Sequence, residues 1–286
     1  MSTTQLILLQ ILNTGVTMGI LMLVAIGLGI IYGLMDVINL AHSEFLMLGA
    51  YGWVIARLVG LDGWTGLIIA PVLVGLVGYV IERGLVQYLY RRPLDSLLAT
   101  WGVSLILVQA ARIVFGPAPQ AVPTPLEGAV DLFGMPYGRY RLFVLAVSIV
   151  IISLTLAVFR YPTFGLKTRA VFQDAEMAKC LGIRAPRIYS TGFVIGAALA
   201  GLAGALVAPM LTVAPDMGAN FLVQSFLVVI VGGAGSLVGV VGGAGVIGGI
   251  QGLISYFSSS VLAQVITLTL AIIVVRVRPR GIFTRK

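Results

Sequence analysis

The feature that most constrains the fold is a series of long apolar runs that continues along almost the whole chain. These runs occupy residues 6–33, 45–60, 65–89, 95–115, 141–159, 190–210, 221–238, 240–257 and 261–276. A helix that crosses a bilayer needs about 20 such residues. Only 10% of the residues are charged, against about 25% in ordinary soluble domains, so no polar shell could cover this apolar surface in water. The sequence therefore predicts an all-α, polytopic transmembrane helical bundle of roughly eight to ten spans.

We expect residues 1–286 to form a single transmembrane domain, because the runs leave no stretch long enough for a second one. The first run, Leu6–Ile31, follows no Lys or Arg and lacks a short cleavable pattern, which favours a retained helix over a signal peptide. One cysteine, Cys180, and one histidine, His42, cannot form an internal disulfide or a zinc site of the usual Cys/His type. We therefore expect no metal site.

The positions of Lys and Arg predict the orientation in the membrane. Most of the 18 basic residues lie in three segments, residues 83–92, 160–187 and 276–286. Short loops rich in Lys and Arg stay in the cytoplasm, so the amino terminus and loop 116–140 should be periplasmic and the carboxyl terminus cytoplasmic. The net charge of +8 does not indicate nucleic-acid binding, because the basic residues lie between apolar runs and not on one soluble face.

Two loops are long enough to have a function of their own. The periplasmic loop 116–140 is rich in proline, which predicts an extended connector that either only links two spans or offers a docking surface. The cytoplasmic loop 160–190 has apolar residues at helical spacing from Leu166 to Leu181, which predicts one short amphipathic helix ended by Gly182 and Pro186. Such a helix rests on lipid headgroups or inserts into a groove on a partner protein.

Uncharged polar residues inside the spans are candidates for a solute pathway. They lie on one face of the first span and around one face of the fourth: Gln10, Asn13, Thr14 and Thr17, then Thr100, Trp101 and Ser104. Amide and hydroxyl groups suit a small neutral or zwitterionic solute, whereas an ion would require rings of charge or of carbonyl groups. The alternative is that these groups only form hydrogen bonds between helices.

A short polar turn separates the first two spans and contains Asp36, Asn39, His42, Ser43 and Glu44. Charged groups are costly at membrane depth, so we expect the turn to lie at the aqueous boundary or against protein. Turn and capping structure explains these residues better than a catalytic or proton-relay role for His42 and Glu44.

Small residues recur at four-residue spacing in two series. The first predicts close helix packing, and the second fits either packing or a backbone that bends or moves. One series is Gly192, Gly196, Ala200, Gly204 and Ala208, and the other is Gly235, Gly239 and Gly243. The glycine-rich stretch Val231–Gly252 is compatible with two short helices, with a span broken by a re-entrant segment, or with a tight hairpin.

No motif for ATP hydrolysis or covalent catalysis occurs in the chain. Gly165-Leu166-Lys167-Thr168 lacks the loop and the glycine of a phosphate-binding loop, and neither Gly-x-Ser-x-Gly nor His-Glu-x-x-His is present. The spans also lack the chain of carboxylates expected of a proton-driven carrier. We therefore expect a transport protein without catalytic residues that takes its energy from a partner.

Four segments resemble those of a known family, in the order in which that family has them. They are YGLMDVINLAHSEFLMLGAY at 32–51, TWGVSLIL at 100–107, the stretch from GLKTRA to LGI at 165–183, and VGGAGSL at 231–237 with RPRGIF at 278–283. Over nearly its whole length the chain resembles the inner-membrane permease subunits, of the shorter LivH type, of bacterial branched-chain amino acid and urea/amide ABC importers.

This resemblance implies a type II ABC-importer-like permease in the bacterial inner membrane. Its partners would be a second homologous permease, two cytoplasmic ATPases that bind ATP and Mg²⁺, and a periplasmic solute-binding protein, with no cofactor on this chain itself. The cytoplasmic helix would be the coupling helix that contacts an ATPase through Phe172, Gln173, Asp174, Glu176, Met177, Lys179 and Gly182. The structural motif residues of the resemblance are Asp36, Asn39, His42, Glu44, Gly235 and Gly239.

The sequence does not decide the solute, and it leaves two alternative functions, a channel and a membrane-embedded enzyme. Thr100-Trp101-Gly102 is more similar to the urea and short-chain amide branch than to the branched-chain amino acid branch. An uncharged passage would also suit an autonomous channel for urea-like solutes. Such a channel would not need the cytoplasmic helix. A membrane-embedded enzyme would depend on His42, the single imidazole.

Overall fold

The computed structural model describes residues 3–132, 134–233, 235–278 and 281–283. Within them the chain forms eleven α-helices, a short 3-10 turn at Val86–Tyr88 and one pair of strands. The helices are α1 (Thr3–Met35), α2 (His42–Leu58), α3 (Gly63–Gly84), α4 (Pro93–Phe115), α5 (Arg139–Arg160), α6 (Pro162–Gln173), α7 (Ala175–Cys180), α8 (Ala185–Val207), α9 (Ala219–Gly232), α10 (Leu237–Phe257) and α11 (Ser260–Val277). The strands are β1 (Ala129–Leu132) and β2 (Met135–Gly138).

The prediction of an all-α polytopic bundle is confirmed. Each predicted apolar run corresponds to one helix, namely α1 to α5 and α8 to α11. Six of the helices in the described part are long and apolar enough to cross a membrane, and α9 and α11 are shorter apolar helices. Helix α2 has 17 residues and lies mostly inside the protein.

Helices α1 and α8 form the centre of the bundle and cross at glycines. A Cβ atom on Gly196 would lie 2.6 Å from the carbonyl oxygen of Gly27, and one on Gly192 would lie 2.5 Å from a methyl carbon of Leu34. Contacts this close to a neighbouring backbone or side chain leave no room for a Cβ atom, so these positions require glycine. The first predicted small-residue stripe is therefore a packing surface, since Gly192, Gly196, Ala200, Gly204 and Ala208 are all buried.

The described basic segments lie at one end of the bundle. The N–H of Arg91 donates to the carbonyl oxygen of Met35 at 3.3 Å, and the N–H of Ile282 donates to that of Val231 at 2.8 Å. These contacts join the end of α1, the loop before α4, the α9–α10 turn and residues 281–283. Pro279, Arg280, Thr284, Arg285 and Lys286, part of the third predicted basic segment, and Ala234 of the VGGAGSL motif lie outside the described residues.

The opposite end carries the proline-rich loop, which is extended as predicted. Its β1 and β2 strands pair antiparallel, with Val130 opposite Tyr137. Gln120 forms an isolated antiparallel bridge with Val213, through N–H to oxygen distances of 2.8 and 2.9 Å. The loop therefore packs at the end of the bundle opposite the basic segments.

The prediction of one amphipathic helix from Leu166 to Leu181 is wrong, because two helices, α6 and α7, share this stretch. Asp174 between them has an extended backbone, and its carboxylate accepts the N–H groups of Glu176 at 2.9 Å and Met177 at 3.0 Å. An aspartate in that role starts a new helix and ends the previous one. Gly182 caps α7 with a φ of 78°, as predicted.

Two further expectations are refined by the structure. Pro186 lies in the first turn of α8, where a proline without N–H is tolerated, and so it begins a helix as well as ending the loop. Of the three alternatives for the glycine-rich stretch, the structure has the hairpin: α9 ends at Gly232 and α10 starts at Leu237 after a short turn.

Candidate functional site

The polar turn between the first two spans lies deep inside the protein. Asp36 turns the chain back with a left-handed φ of 53°, and the chain then runs back along α1. As a result, the His42 Nε2 atom lies 2.9 Å from the carbonyl oxygen of Val24. Val24 is roughly 16 Å from Met35 along the helix, about half the thickness of a bilayer core. Residues 36–44, the re-entrant segment, therefore lie against protein, one of the two expected locations.

Helix α4 holds the re-entrant segment through two of the predicted pathway residues. The Thr100 hydroxyl accepts the backbone N–H of Leu40 at 3.0 Å. The Ser104 hydroxyl donates to Oε1 of Glu44 at 2.9 Å. Trp101 lies between them in sequence but is 54% exposed. The structure thus brings Thr100 and Ser104 to the polar turn and leaves Trp101 on the surface of α4.

Four buried polar atoms in and beside the re-entrant segment have no hydrogen-bond partner among the described residues: Asn39 Nδ2, His42 Nδ1, Glu44 Oε2 and Tyr51 Oη. Leaving such an atom unpaired costs about 1–3 kcal/mol. The start of α9 lies against the same group, since a Cβ atom on Gly218 would lie 3.1 Å from Glu44 Oε2. These atoms are therefore available to bind water or a polar solute.

A polar cavity of about 370 Å³ lies at the start of α9. Four polar residues at four-residue spacing contribute to its wall: Thr212, Asp216, Asn220 and Gln224. Helix α9 has 14 residues and is about 21 Å long, so it is shorter than a bilayer core of about 30 Å. The loop before it therefore dips into the bundle from the outer end. None of these four residues is among the predicted pathway residues, although their regular spacing is visible in the sequence.

The other predicted polar face, on α1, lies near the outer end of that helix. The Gln10 amide donates to the carbonyl oxygen of Gly252 at 2.7 Å, and Thr14 packs on the same glycine. The Asn13 side-chain oxygen accepts the hydroxyl of Tyr137 at 3.2 Å, and the Thr17 hydroxyl donates to the backbone of α1 itself. These contacts tie α1 to α10 and β2, so the two predicted polar faces are not brought together.

The α6–α7 segment, residues 162–182, has one buried and one exposed side. Val171, Ala175 and Ala178 are buried against the bundle. The residues expected to contact an ATPase are all exposed: Phe172, Gln173, Asp174, Glu176, Met177, Lys179 and Gly182. Exposed large apolar side chains, Leu166, Phe172, Met177 and Leu181, accompany them. A cluster of large exposed apolar groups indicates a surface that binds another protein or a membrane.

The α6–α7 segment touches the turn between α9 and α10. A Cβ atom on Gly235 would lie 3.3 Å from Cζ of Phe172. The two helices of this hairpin also approach closely, since a Cβ atom on Gly239 would lie 2.5 Å from the carbonyl oxygen of Gly232. A displacement of the α6–α7 segment would therefore act directly on the α9–α10 hairpin.

Comparison with known families gives a match over almost the whole chain. The sequence model described as "Branched-chain amino acid transport system / permease component" matches residues 10–275. The chain is 32% identical to the high-affinity branched-chain amino acid transport system permease protein LivH of Escherichia coli K12, over 100% of this chain and 98% of LivH. It is also 32% identical to the corresponding permease BraD of Pseudomonas aeruginosa, over 97% of this chain and 96% of BraD.

Two more distant similarities extend this result. The permease LivM of the same E. coli transport system is 27% identical over 76% of this chain and 57% of LivM. Among solved structures, the one titled "PsaBC from Streptococcus pneumoniae in complex with Fab" superposes with a TM-score of 0.52 at 14% identity, covering 92% of this chain and 90% of that one. At this identity the superposition supports the fold alone.

Proposed function

This chain belongs to the family of permease components of branched-chain amino acid transport systems, and we propose that it lines the passage of an ATP-driven, binding-protein-dependent importer. It is a multi-pass protein of the bacterial inner membrane and a transport subunit, not an enzyme. LivH and LivM are both named as permeases of the E. coli system, which supports assembly with a second permease. Two cytoplasmic ATPases, which bind ATP and Mg²⁺, and a periplasmic solute-binding protein complete the proposed complex.

The proposed passage leads from the polar cavity at the start of α9 to the re-entrant segment. Asn39, Glu44 and Tyr51 each contribute an unpaired polar atom there, and such atoms suit a solute that carries its own hydrogen-bonding groups. Thr100 and Ser104 act by holding the segment in place. Trp101 lies on the surface of α4, where a second permease would complete the wall. The polar face of α1, with Gln10, Asn13, Thr14 and Thr17, lies nearer the amino-terminal end of that helix and would line the passage farther out.

The observation that carries the coupling role is the exposed apolar side of the α6–α7 segment. Its large side chains face away from the bundle, while the Phe172 ring also touches Gly235 of the α9–α10 turn. An ATPase that binds this surface would move the segment and, through the ring, the hairpin. ATP binding and hydrolysis could thus change the passage without any nucleotide site on this chain.

Met177→Asp tests the coupling role, because Met177 is 61% exposed and contributes little to the fold. We expect co-purified ATPase to fall at least tenfold and solute uptake to be lost, with an unchanged melting temperature. The matched control is Tyr88→Asp, which places the same charge on an aromatic residue, 71% exposed, at the same end but outside the segment. Normal ATPase binding by Met177→Asp would refute the coupling surface.

We propose a small neutral or zwitterionic amino acid or amide as the solute. The named relatives support a branched-chain amino acid. The urea/amide alternative rests on Trp101. That side chain is exposed on the surface of α4, so it is weak evidence for which solute is bound. Competition of labelled-leucine uptake by urea and acetamide, with binding of all three to the cognate periplasmic protein, distinguishes the two.

An autonomous channel is the second candidate, because the proposed passage is formed mainly by uncharged groups. The full chain reconstituted alone in vesicles should accumulate no solute against a gradient, and addition of its partners with ATP should start accumulation. Rapid equilibration of urea by the chain alone would support the channel. Accumulation by the chain alone would contradict both functions.

A further inference from the structure

A second cavity, of about 390 Å³, lies at the cytoplasmic end of the bundle, away from the proposed passage. Helices α1, α5, α6 and α10 surround it. Much of its wall is apolar and includes Leu156, Phe159, Leu237 and Val238. Val238 is 70% exposed, so the cavity opens to the outside of the bundle beside α10. Its volume is in the range of small-ligand sites.

The polar part of the wall includes two cationic residues. Arg160 and Arg169 both line the cavity. Neither guanidinium forms an ion pair with a carboxylate in the part of the chain that the structure describes. Two unpaired guanidinium groups at the edge of an apolar cavity are complementary to a ligand with an anionic head and an apolar body.

A third group in the wall points to the same ligand. Thr168, between the two arginines in sequence, lines the cavity and is only 6% exposed. Its hydroxyl is buried without a hydrogen-bond partner among the described residues. A phosphate oxygen in the cavity would satisfy this hydroxyl while it pairs with the guanidinium groups.

The location matches the source of such a ligand. The cavity lies at the end of the bundle that carries the basic segments, next to the cytoplasmic leaflet, which is the anionic side of the membrane. Basic pockets between membrane helices on this side bind anionic headgroups. A free phosphate would leave the apolar wall unfilled, whereas a phospholipid would fill it with part of an acyl chain.

We infer that this cavity binds one anionic phospholipid of the inner leaflet. Its phosphate pairs with Arg160 and Arg169 and accepts the hydroxyl of Thr168, and its acyl chain lies along Leu156, Phe159 and Val238. The lipid contacts α6 and the start of α10 together. The cavity wall also includes Phe172 and Gly235, the pair that forms the proposed coupling contact. Lipid binding itself does not require transport, so its test and the Met177→Asp test can fail separately.

The test measures lipid bound to the full-length chain, purified with any subunits that accompany it and then delipidated. The protein is titrated with phosphatidylglycerol or with phosphatidylcholine, and native mass spectrometry measures the fraction of protein that carries a bound lipid. Since each basic residue near an anionic lipid contributes to binding, we expect Arg160→Gln with Arg169→Gln to raise the Kd for phosphatidylglycerol about 30-fold. The matched control, Arg184→Gln with Arg187→Gln, removes two charges from the same basic segment outside the cavity and should change the Kd less than about threefold.

Two further variants keep the test decisive if the double variant does not fold. Thr168→Val keeps the shape of the side chain and should weaken binding about fivefold, by loss of one hydrogen bond. Val238→Trp should block the mouth and reduce phosphatidylglycerol binding. Excess inorganic phosphate should not displace the lipid. Unchanged phosphatidylglycerol affinity in these variants, an equal loss in the control, or equal affinity for phosphatidylcholine would overturn the inference.

Discussion

His42 is the most informative single residue, because it is the one histidine of the chain and is 1% exposed. Its Nε2 atom contacts the backbone of Val24, and its ring meets Phe45 edge to face. These contacts fix the depth of the re-entrant segment, a positioning role that needs no proton transfer.

We expect His42→Ala to lower the free energy of unfolding by about 2–3 kcal/mol, because it leaves a cavity and removes one buried contact to the backbone of α1. Uptake per folded transporter should stay within about twofold of the parent. Thermal melting and uptake normalised to folded protein check both parts. A fully stable variant without uptake would instead indicate a chemical role for the imidazole.

Glu82 is a buried carboxylate whose neighbours satisfy it. The side chain is 1% exposed. Its carboxylate accepts hydrogen bonds from the hydroxyl groups of Tyr90 and of Ser190, the latter at 2.7 Å. The bond to Ser190 joins the end of α3 to α8. Burial, and next the hydrogen bond to Glu82, hold the pKa of Tyr90 well above its usual range. The Tyr90 hydroxyl thus stays protonated and donates at physiological pH.

Glu82→Ala should destabilise the protein by about 2–4 kcal/mol, since two hydroxyl groups lose their partner. Denaturation in mild detergent measures this change. The control is Asp95→Ala. Asp95 Oδ2 lies 3.9 Å from Arg92 Nη1 in an ion pair that is exposed to solvent, and such pairs contribute about 0–1 kcal/mol to stability. Equal melting temperatures for the two variants would show that the Glu82 cluster does not hold α3 to α8.

At the scale of elements, the α9–α10 hairpin depends on glycine where the two helices meet. A leucine at Gly239 would clash with the carbonyl oxygen of Gly232, whereas a Cβ atom at Gly249, on the same helix, would meet nothing within 4 Å. The same substitution therefore has opposite consequences along one helix.

We expect Gly239→Leu to reduce the folded yield and uptake at least tenfold, and Gly249→Leu to leave both unchanged within about twofold. Size-exclusion chromatography and uptake assays measure the two quantities. Equal behaviour of the two variants would exclude close approach at Gly239 as the reason for the glycine.

For the whole molecule, Cys180 tests the orientation without any engineering. It is the one cysteine of the chain and is exposed at the end of α7, in a segment that the basic residues place in the cytoplasm. A membrane-impermeant maleimide should label it in inside-out vesicles and not in right-side-out ones. A Glu127→Cys variant in a Cys180→Ser background should show the reverse pattern. Labelling of Cys180 from outside would invert the topology.

The sequence was sufficient for the helices but not for the break between α6 and α7. Helices in lipid satisfy their own backbone, so each one leaves a local signal of about 20 apolar residues, and the predicted runs match the observed helices. The sequence pattern places Asp174 inside one amphipathic helix, because helical periodicity does not show whether a carboxylate points to solvent or caps the next helix.

The amino-acid sequence by itself thus determined the helical class, the order of the apolar helices and the glycines at their crossings. Only the tertiary structure decided where the polar groups lie: the re-entrant segment inside the bundle, Ser104 bonded to Glu44 across 60 positions, and a polar cavity at the start of α9. The physical reason is that burial in lipid acts on each run separately, whereas pairing of polar groups depends on which helices become neighbours.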